Sequence, residues 1–401
     1  MCQAKDVSSL GLRPGHSDYA RATLALFCLG IAAFAQLYTV QPLLVPIGEE
    51  FGVGAANTSW LMSAATAGIA LAVLPIGHYS GRWGRRRTML IGLALATLAG
   101  LGLVLSQNFP LLTAIRALQG AALSTVLVSA MAWVIASAHP FAVTRLGGLY
   151  IAGTTVGGMT GRLVAGYVAE LGTWRTGVIA ATIVAAAAGG AAHLLLPGGE
   201  VYEDTGAVAD QPDPYRRARF AMYAIGGLGM ATFVGIFNVM GYRLAGPPFF
   251  VGTAVTSTLF LTYLAGTATS AVAGRVAGRI GLKPAVLVGL AVAAGGVALT
   301  LVDSIVVMFA GMLVLCAGFF LAHALASSNA ARYSLRPAAA SSRYSLSYYA
   351  GSSIGGVLLG YAWEGGGWVG TVAGAAALLA LAALIVVATP RAEPSSDRAA
   401  S

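Results

Sequence analysis

Twelve stretches of about twenty residues recur along the chain with little or no charge, and 285–302, AVLVGLAVAAGGVALTLV, is representative. A helix needs roughly 20 such residues to cross the hydrocarbon core, because lipid offers no partner to an open backbone N–H or C=O. This pattern removes most architectures at once. Soluble domains carry about a quarter charged residues; here the charged share is 9% and the hydrophobic share 57%. The expectation is an all-α membrane protein.

The spans fall at about 22–44, 56–76, 88–106, 110–135, 143–168 and 175–196, then at about 218–241, 252–273, 284–302, 304–328, 343–362 and 368–389. They predict twelve transmembrane helices in two pseudo-symmetric six-helix bundles, 21–196 and 218–389. The polar, Pro- and Gly-rich segment 197–217 reads as a linker, and the ends, 1–20 and 390–401, as disordered tails. Ala33-Phe34-Ala35 resembles a signal-peptidase site, but apolarity continues to Leu44, too far for a signal segment.

Charge gives the orientation. The stretch GHYSGRWGRRRTM, 77–89, alone holds Arg82, Arg85, Arg86 and Arg87 between two apolar runs. With the N-terminus inside, 19 of the 23 basic residues fall in inner segments, which places both termini in the cytoplasm. A net charge of +9 spread over short loops, with no contiguous basic stripe, argues against a nucleic-acid partner. Cys28 and Cys316 lie inside apolar runs and Cys2 at the start, a spacing with neither a disulfide framework nor a zinc site. No metal and no cofactor is expected.

The two sets of spans align at an offset of about 198 residues. VGAANTSWLMSAATAGIA (53–70) faces VGTAVTSTLFLTYLAGTA (251–268), TRLGGLYIAGTTVGG (144–158) faces SRYSLSYYAGSSIGG (342–356), and GHYSGRWG (77–84) faces GRVAGRIG (274–281). A constant offset across loops as well as helices marks a parallel duplication. Such duplications place a binding site where two rocking halves meet.

Three motifs carry a resemblance to the major facilitator superfamily that covers nearly the whole chain. Gly77-x-x-x-Gly81-Arg82-x-Gly84-Arg85-Arg86 resembles the family's loop 2–3 gating motif, with Gly81 where an acid is usual. Leu112-x-x-x-Arg116-x-x-Gln119-Gly120 is similar to its fourth-helix motif. Gly153-x-x-x-Gly157-Gly158-x-x-Gly161 resembles its fifth-helix antiporter motif, with Gly158 where proline is usual and Arg162 where the last glycine is usual. Together with Gln41-Pro42-Leu43-Leu44, these are similar to twelve-helix bacterial efflux permeases of the arabinose-efflux and drug-proton-antiporter kinds.

The resemblance implies a monomeric secondary carrier of the bacterial cytoplasmic membrane that moves a small organic solute by alternating access. It also implies export coupled to protons, with helices 1, 4, 7 and 10 lining the cavity. An importer or uniporter on the same fold, or a non-transporting sensor, is the alternative. A sensor would normally carry a soluble output domain, and the longest polar segment is about twenty residues. An enzyme would need a nucleophile–base or metal constellation, whereas the five histidines lie in different segments.

Charges within spans need a reason, at about 2.5–3.5 kcal/mol each at a helix centre. Arg116 and Arg162 stand out. By resemblance Arg116, with Gln119, couples transport or binds substrate; the alternative is a structural arginine bonded to backbone carbonyls. Glu170, on the same helix as Arg162, is a candidate partner for it. Gln36, Tyr38 and Gln41 on helix 1, and Asn238, Tyr242 and Arg243 on helix 7, offer polar groups at a similar depth. Tyr38 and Tyr242 also suit an interfacial aromatic belt. Tyr263 is a further candidate.

Helices 1 and 4 lack the acid that carries the proton in proton-coupled relatives. His323, inside span 10, is the candidate in its place, the alternative being a hydrogen-bonded packing residue. With arginines in the outer half and no acid inside a span, an anionic or polar neutral solute fits better than a cationic one. The glycines at 153, 157 and 158 and their counterparts in helix 11 suggest a sliding interface, or tight packing without motion.

Overall fold

A computed structural model describes residues 11–15, 18–198, 215–334 and 337–390. The linker acids Glu200, Glu203, Asp204, Asp210 and Asp213, most of the N-terminal tail and the C-terminal tail lie outside the described residues. Helix dominates what is described, and its one β-type pairing is an isolated bridge, Leu12 to Ala138. That bridge corrects the reading of 1–20 as wholly disordered. Leu12 is buried, takes a hydrogen bond from His139 N and donates one to Ser137 O.

The helices are α1 (Tyr19–Tyr38), α2 (Leu44–Phe51), α3 (Ala55–Trp83), α4 (Arg85–Val104), α5 (Phe109–Ser137), α6 (Pro140–Glu170) and α7 (Trp174–Leu195). There follow α8 (Arg216–Ala245), α9 (Thr253–Thr258), α10 (Tyr263–Ile280), α11 (Leu282–Leu299), α12 (Ile305–Arg332) and α13 (Pro337–Ala388). Short 3₁₀ turns, Gln41–Leu43 and Leu259–Thr262, join α1 to α2 and α9 to α10. Gly367, at φ 58°, kinks α13 into two arms. Counting each joined pair once and α13 twice, the described residues hold twelve helical segments.

Among the described residues, nine helical stretches are long and apolar enough to cross a membrane. The shortfall has a physical source. α13 counts once, α6 carries Arg145, Arg162 and Glu170, and α10 is rich in Thr, Ser and Gly and ends on Arg275 and Arg279.

Two compact units emerge. One is Met1–Phe51 with Ala64–Gly206; the other is Gly52–Ser63 with Ala207–Ser401. In the first, α1 packs on α6 and α7, and α4 on α5 and α7; in the second, α8 packs on α13 and α12, and α11 on α12. The first turns of α3 belong to the second unit for a visible reason. Glu364 accepts from Ala56 N at 3.0 Å, and Thr58 Oγ1 lies 2.7 Å from Tyr242 Oη.

Two features repeat between the units. Gly84 (φ 84°) and Gly281 (φ 89°) are the single residues that separate α3 from α4 and α10 from α11, in a left-handed conformation that favours glycine. One residue into each following helix, a cation reaches the end of another helix. Arg86 donates to Leu196 O (3.0 Å) and His193 O (3.2 Å) at the end of α7, and Lys283 to Val387 O (2.7 Å) and Thr389 O (3.1 Å) at the end of α13. These carbonyls have no intrahelical donor, and a cation suits the negative end of the dipole.

The glycines of α6 are filled by α1 in the same unit. A Cβ at Gly153 would come within 2.2 Å of Phe27 O, at Gly157 within 2.5 Å of Ile31 Cα, and at Gly161 within 2.4 Å of Ala35 O. These glycines let α6 pack closely on α1. In the second unit Gly351 and Gly355 meet Gly227 and Ala231 in the same way. Gly157→Ala is expected to destabilise the protein by about 1–3 kcal/mol through overpacking against backbone. Gly148→Ala, with nothing within 4 Å of its added Cβ, is expected to be neutral or slightly stabilising. Thermal unfolding of the two variants in one detergent checks the contrast.

Candidate functional site

The polar groups of the first unit gather where its first span breaks. α1 stops at Tyr38 and a 3₁₀ turn begins at Gln41, with Pro42 next. Proline has no N–H to continue the ladder, and around this break side chains donate to the last carbonyls of α1. Thr39 Oγ1 serves Ala35 O at 2.6 Å. Arg116, fully buried on α5, serves Gln36 O at 3.2 Å and Leu37 O at 2.6 Å. Its Nη1 also donates to Gln119 Oε1, and Gln119 Nε2 donates to Ala96 O on α4 at 3.0 Å. Arg116 and Gln119 thus tie α1, α4 and α5 together.

Arg162 on α6 is 1% exposed and sits on the other side of the break. Its Nε donates to Gln41 Oε1 at 2.8 Å, its Nη1 donates to Gly158 O at 3.0 Å, and its Cζ lies 3.8 Å above the centre of the Tyr38 ring. Tyr38 and Gln41 are buried beside it. Gly158 gives this arrangement its room, since a Cβ there would stand 3.3 Å from Arg162 Nη1 and 3.6 Å from Tyr38 Cδ2. Glu170, the candidate partner, stands eight residues further along α6, roughly 12 Å of rise, while Gln41, Gly158 O and the Tyr38 face meet Arg162 at its own level.

In the second unit Asn238 is buried, and a Cβ at Gly356 would come within 2.9 Å of its Nδ2 and 3.2 Å of Ser63 Oγ. Tyr242 meets Thr58. Arg243 lies apart, at the end of α8. It donates to Asp303 and to Pro247 O (3.0 Å), with Cζ 4.8 Å over the Phe249 ring. The three residues are neighbours in sequence but serve three different contacts.

An aromatic wall in the second unit was not read from the sequence. Phe233 stacks on Phe319 with centroids 4.4 Å apart, Phe237 stacks on Phe260 at 5.3 Å, and Tyr263 meets Phe233 at 5.1 Å. His323 extends this wall. Its ring stacks on Phe319 at 5.6 Å and approaches Tyr348 at 5.0 Å, while its Nδ1 is 2.8 Å from Tyr344 Oη. Tyr263, Phe320, His323 and Tyr348 are only half-buried. Their signal was the spacing Phe319-Phe320-x-x-His323 on one helix, which lipid-facing aromatics mimic.

Of the motif residues expected to gate, Gly84 is the left-handed link described above, and Arg82 is exposed at the end of α3. Gly77 and Gly81 lie in the last turns of α3, and Arg85 opens α4. Neither gating nor substrate contact follows from these positions alone.

Comparison with known proteins agrees with this architecture. Residues 26–217 match the family model described as Major Facilitator Superfamily. The inner membrane transport protein YnfM of Escherichia coli (strain K12) is 37% identical over 93% of this chain and 91% of its own. The MFS-type transporter YybF of Bacillus subtilis (strain 168) is 31% identical over 90% and 91%. Among solved structures, a bacterial homolog of the human lysosomal transporter Spinster, inward-facing and occupied, superposes with a TM-score of 0.77 at 16% identity, covering 94% of this chain and 99% of that one. The nucleoside transporter NupG follows at 0.75 and 14%, covering 92% and 100%. From motif, duplication, fold and these relatives together, the chain belongs to the major facilitator superfamily and is a multi-pass membrane transporter.

Proposed function

We propose that this carrier exports a small organic solute, anionic or polar and neutral, across the bacterial cytoplasmic membrane by alternating access, with both termini in the cytoplasm. The observation that carries the solute class is Arg162, a buried guanidinium set on the Tyr38 ring and hydrogen-bonded to Gln41 beside the break in helix 1. Such a planar cation suits a carboxylate or phosphate by bidentate bonding. Arg116 and Gln119 hold the broken helix in place, and Asn238 and Tyr242 are the second unit's candidate contacts. The half-buried aromatic wall offers apolar surface for the organic body of the solute. Arg243, bonded to Asp303 and Pro247, contributes through the positioning of α8.

Protons are the proposed coupling ion, with His323 as carrier, because its ring already shares a hydrogen bond with Tyr344 in an apolar wall. The test begins with a metabolite and toxin screen of a deletion strain, followed by counterflow of any hit in everted vesicles at several pH values. Accumulation of an organic anion or neutral polar solute that rises with the imposed proton gradient is expected. Accumulation of cationic dyes alone would overturn the solute class. Flux indifferent to the gradient would remove proton coupling and leave a uniporter.

A further inference from the structure

The four arginines between α3 and α4 have separate surroundings. Arg86 is bonded to the end of α7, and Arg85 is half-buried. Arg82 and Arg87 are exposed and stand at the mouth of a groove of about 560 Å³ between α3, α4 and α5 of the first unit. Below the arginines the groove is mostly apolar, with Ile76, Ile91 and Leu95 on its walls beside Thr88 and Thr125. Arg87, Ile91, Leu95 and Leu98 succeed one another on one face of α4, a cation followed by roughly 10 Å of exposed apolar surface.

Two further observations set the depth and the sign of an occupant. Trp83 lines the mouth and stacks on Tyr79, with centroids 5.5 Å apart and planes at 16°, and both rings are exposed, as in an interfacial aromatic belt. α4 opens with three consecutive arginines, no acid in its first turn and no side-chain cap. Cations at that end are unfavourable against the dipole, which an anion at the mouth would relieve. An amine-bearing headgroup would find no acid in the last turns of α3, where Gly81 stands, or in the first turn of α4.

We propose that this groove binds one anionic phospholipid of the cytoplasmic leaflet, its phosphate held between Arg82 and Arg87 and an acyl chain lying along Ile91 and Leu95. The site is separate from the solute-binding residues and does not depend on which solute is carried. It gives the arginine cluster a specific ligand in addition to its effect on topology.

The test uses the full chain in nanodiscs and reads tryptophan quenching by brominated lipid, with the Trp83→Phe variant subtracted to isolate the mouth. Brominated phosphatidylglycerol is expected to quench the Trp83 signal at about one-tenth the mole fraction that brominated phosphatidylethanolamine requires, from two arginines at the surface. The preference should vanish in R82Q/R87Q, persist in R82K/R87K, and persist in R275Q/R279Q, which removes the same charge from the second unit. Equal quenching by both lipids in the unaltered chain would overturn the proposal, as would a preference that survives in R82Q/R87Q or falls equally in R275Q/R279Q. A preference that emerges only after neutralising Glu203, Asp204, Asp210 and Asp213 would also overturn it, assigning the arginines to the linker.

Discussion

Arg116→Ala is expected to lower the stability of the folded carrier by about 2–4 kcal/mol. Two buried carbonyls, Gln36 O and Leu37 O, and the Gln119 amide oxygen lose a donor together, at about 1–3 kcal/mol for each group left open. Relief from burying a guanidinium offsets part of that loss. Lysine should recover only a fraction, since one ammonium lacks the planar fork that reaches both helix carbonyls and the amide. Chemical unfolding in mixed micelles gives the ordering: unaltered, then Lys, then Ala. If Arg116→Ala kept full stability while raising the KM for solute, the residue would belong to substrate binding instead of to the frame.

Arg162→Ala should act in the opposite manner. Transport at subsaturating solute is expected to fall about 10- to 100-fold, the loss of one charge-assisted hydrogen bond at roughly 1.5–3 kcal/mol. The loss should fall on KM. Tyr38→Phe, which keeps the ring face under the guanidinium, is expected to stay near the unaltered rate, whereas Tyr38→Leu should lose part of the affinity with the cation–π contact. Counterflow in proteoliposomes separates KM from the maximal rate. A variant that loses maximal rate at constant KM would place Arg162 in the conformational step, and the anion-site reading would fall with it.

The bundle could be read before any coordinates because span length and loop charge are local properties. The break in helix 1 could not. Residues 22–44 form one apolar run, and Pro42 was its only visible interruption, so the demand for donors at Gln36 and Leu37 was hidden. That hidden demand is why Arg116 stood between two readings. Arg243 and Asp303 lie 60 residues apart and meet only through tertiary packing. The aromatic wall escaped for another reason: Phe in an apolar helix carries no mark that separates a cavity face from a lipid face. The first turns of α3 read as the start of helix 2, yet they belong to the second unit, through contacts to Glu364 and Tyr242 on distant helices.

Arg86 and Lys283 do one task at matching places in the two units. One is a guanidinium and the other an ammonium, they stand 197 positions apart, and they grip different pairs of carbonyls. Each unit places a charge within reach of a helix end, and the side chain that carries it differs. The likeness of the two units is therefore partly one of electrostatic duty, which a comparison of letters passes over and a comparison of bonded atoms recovers.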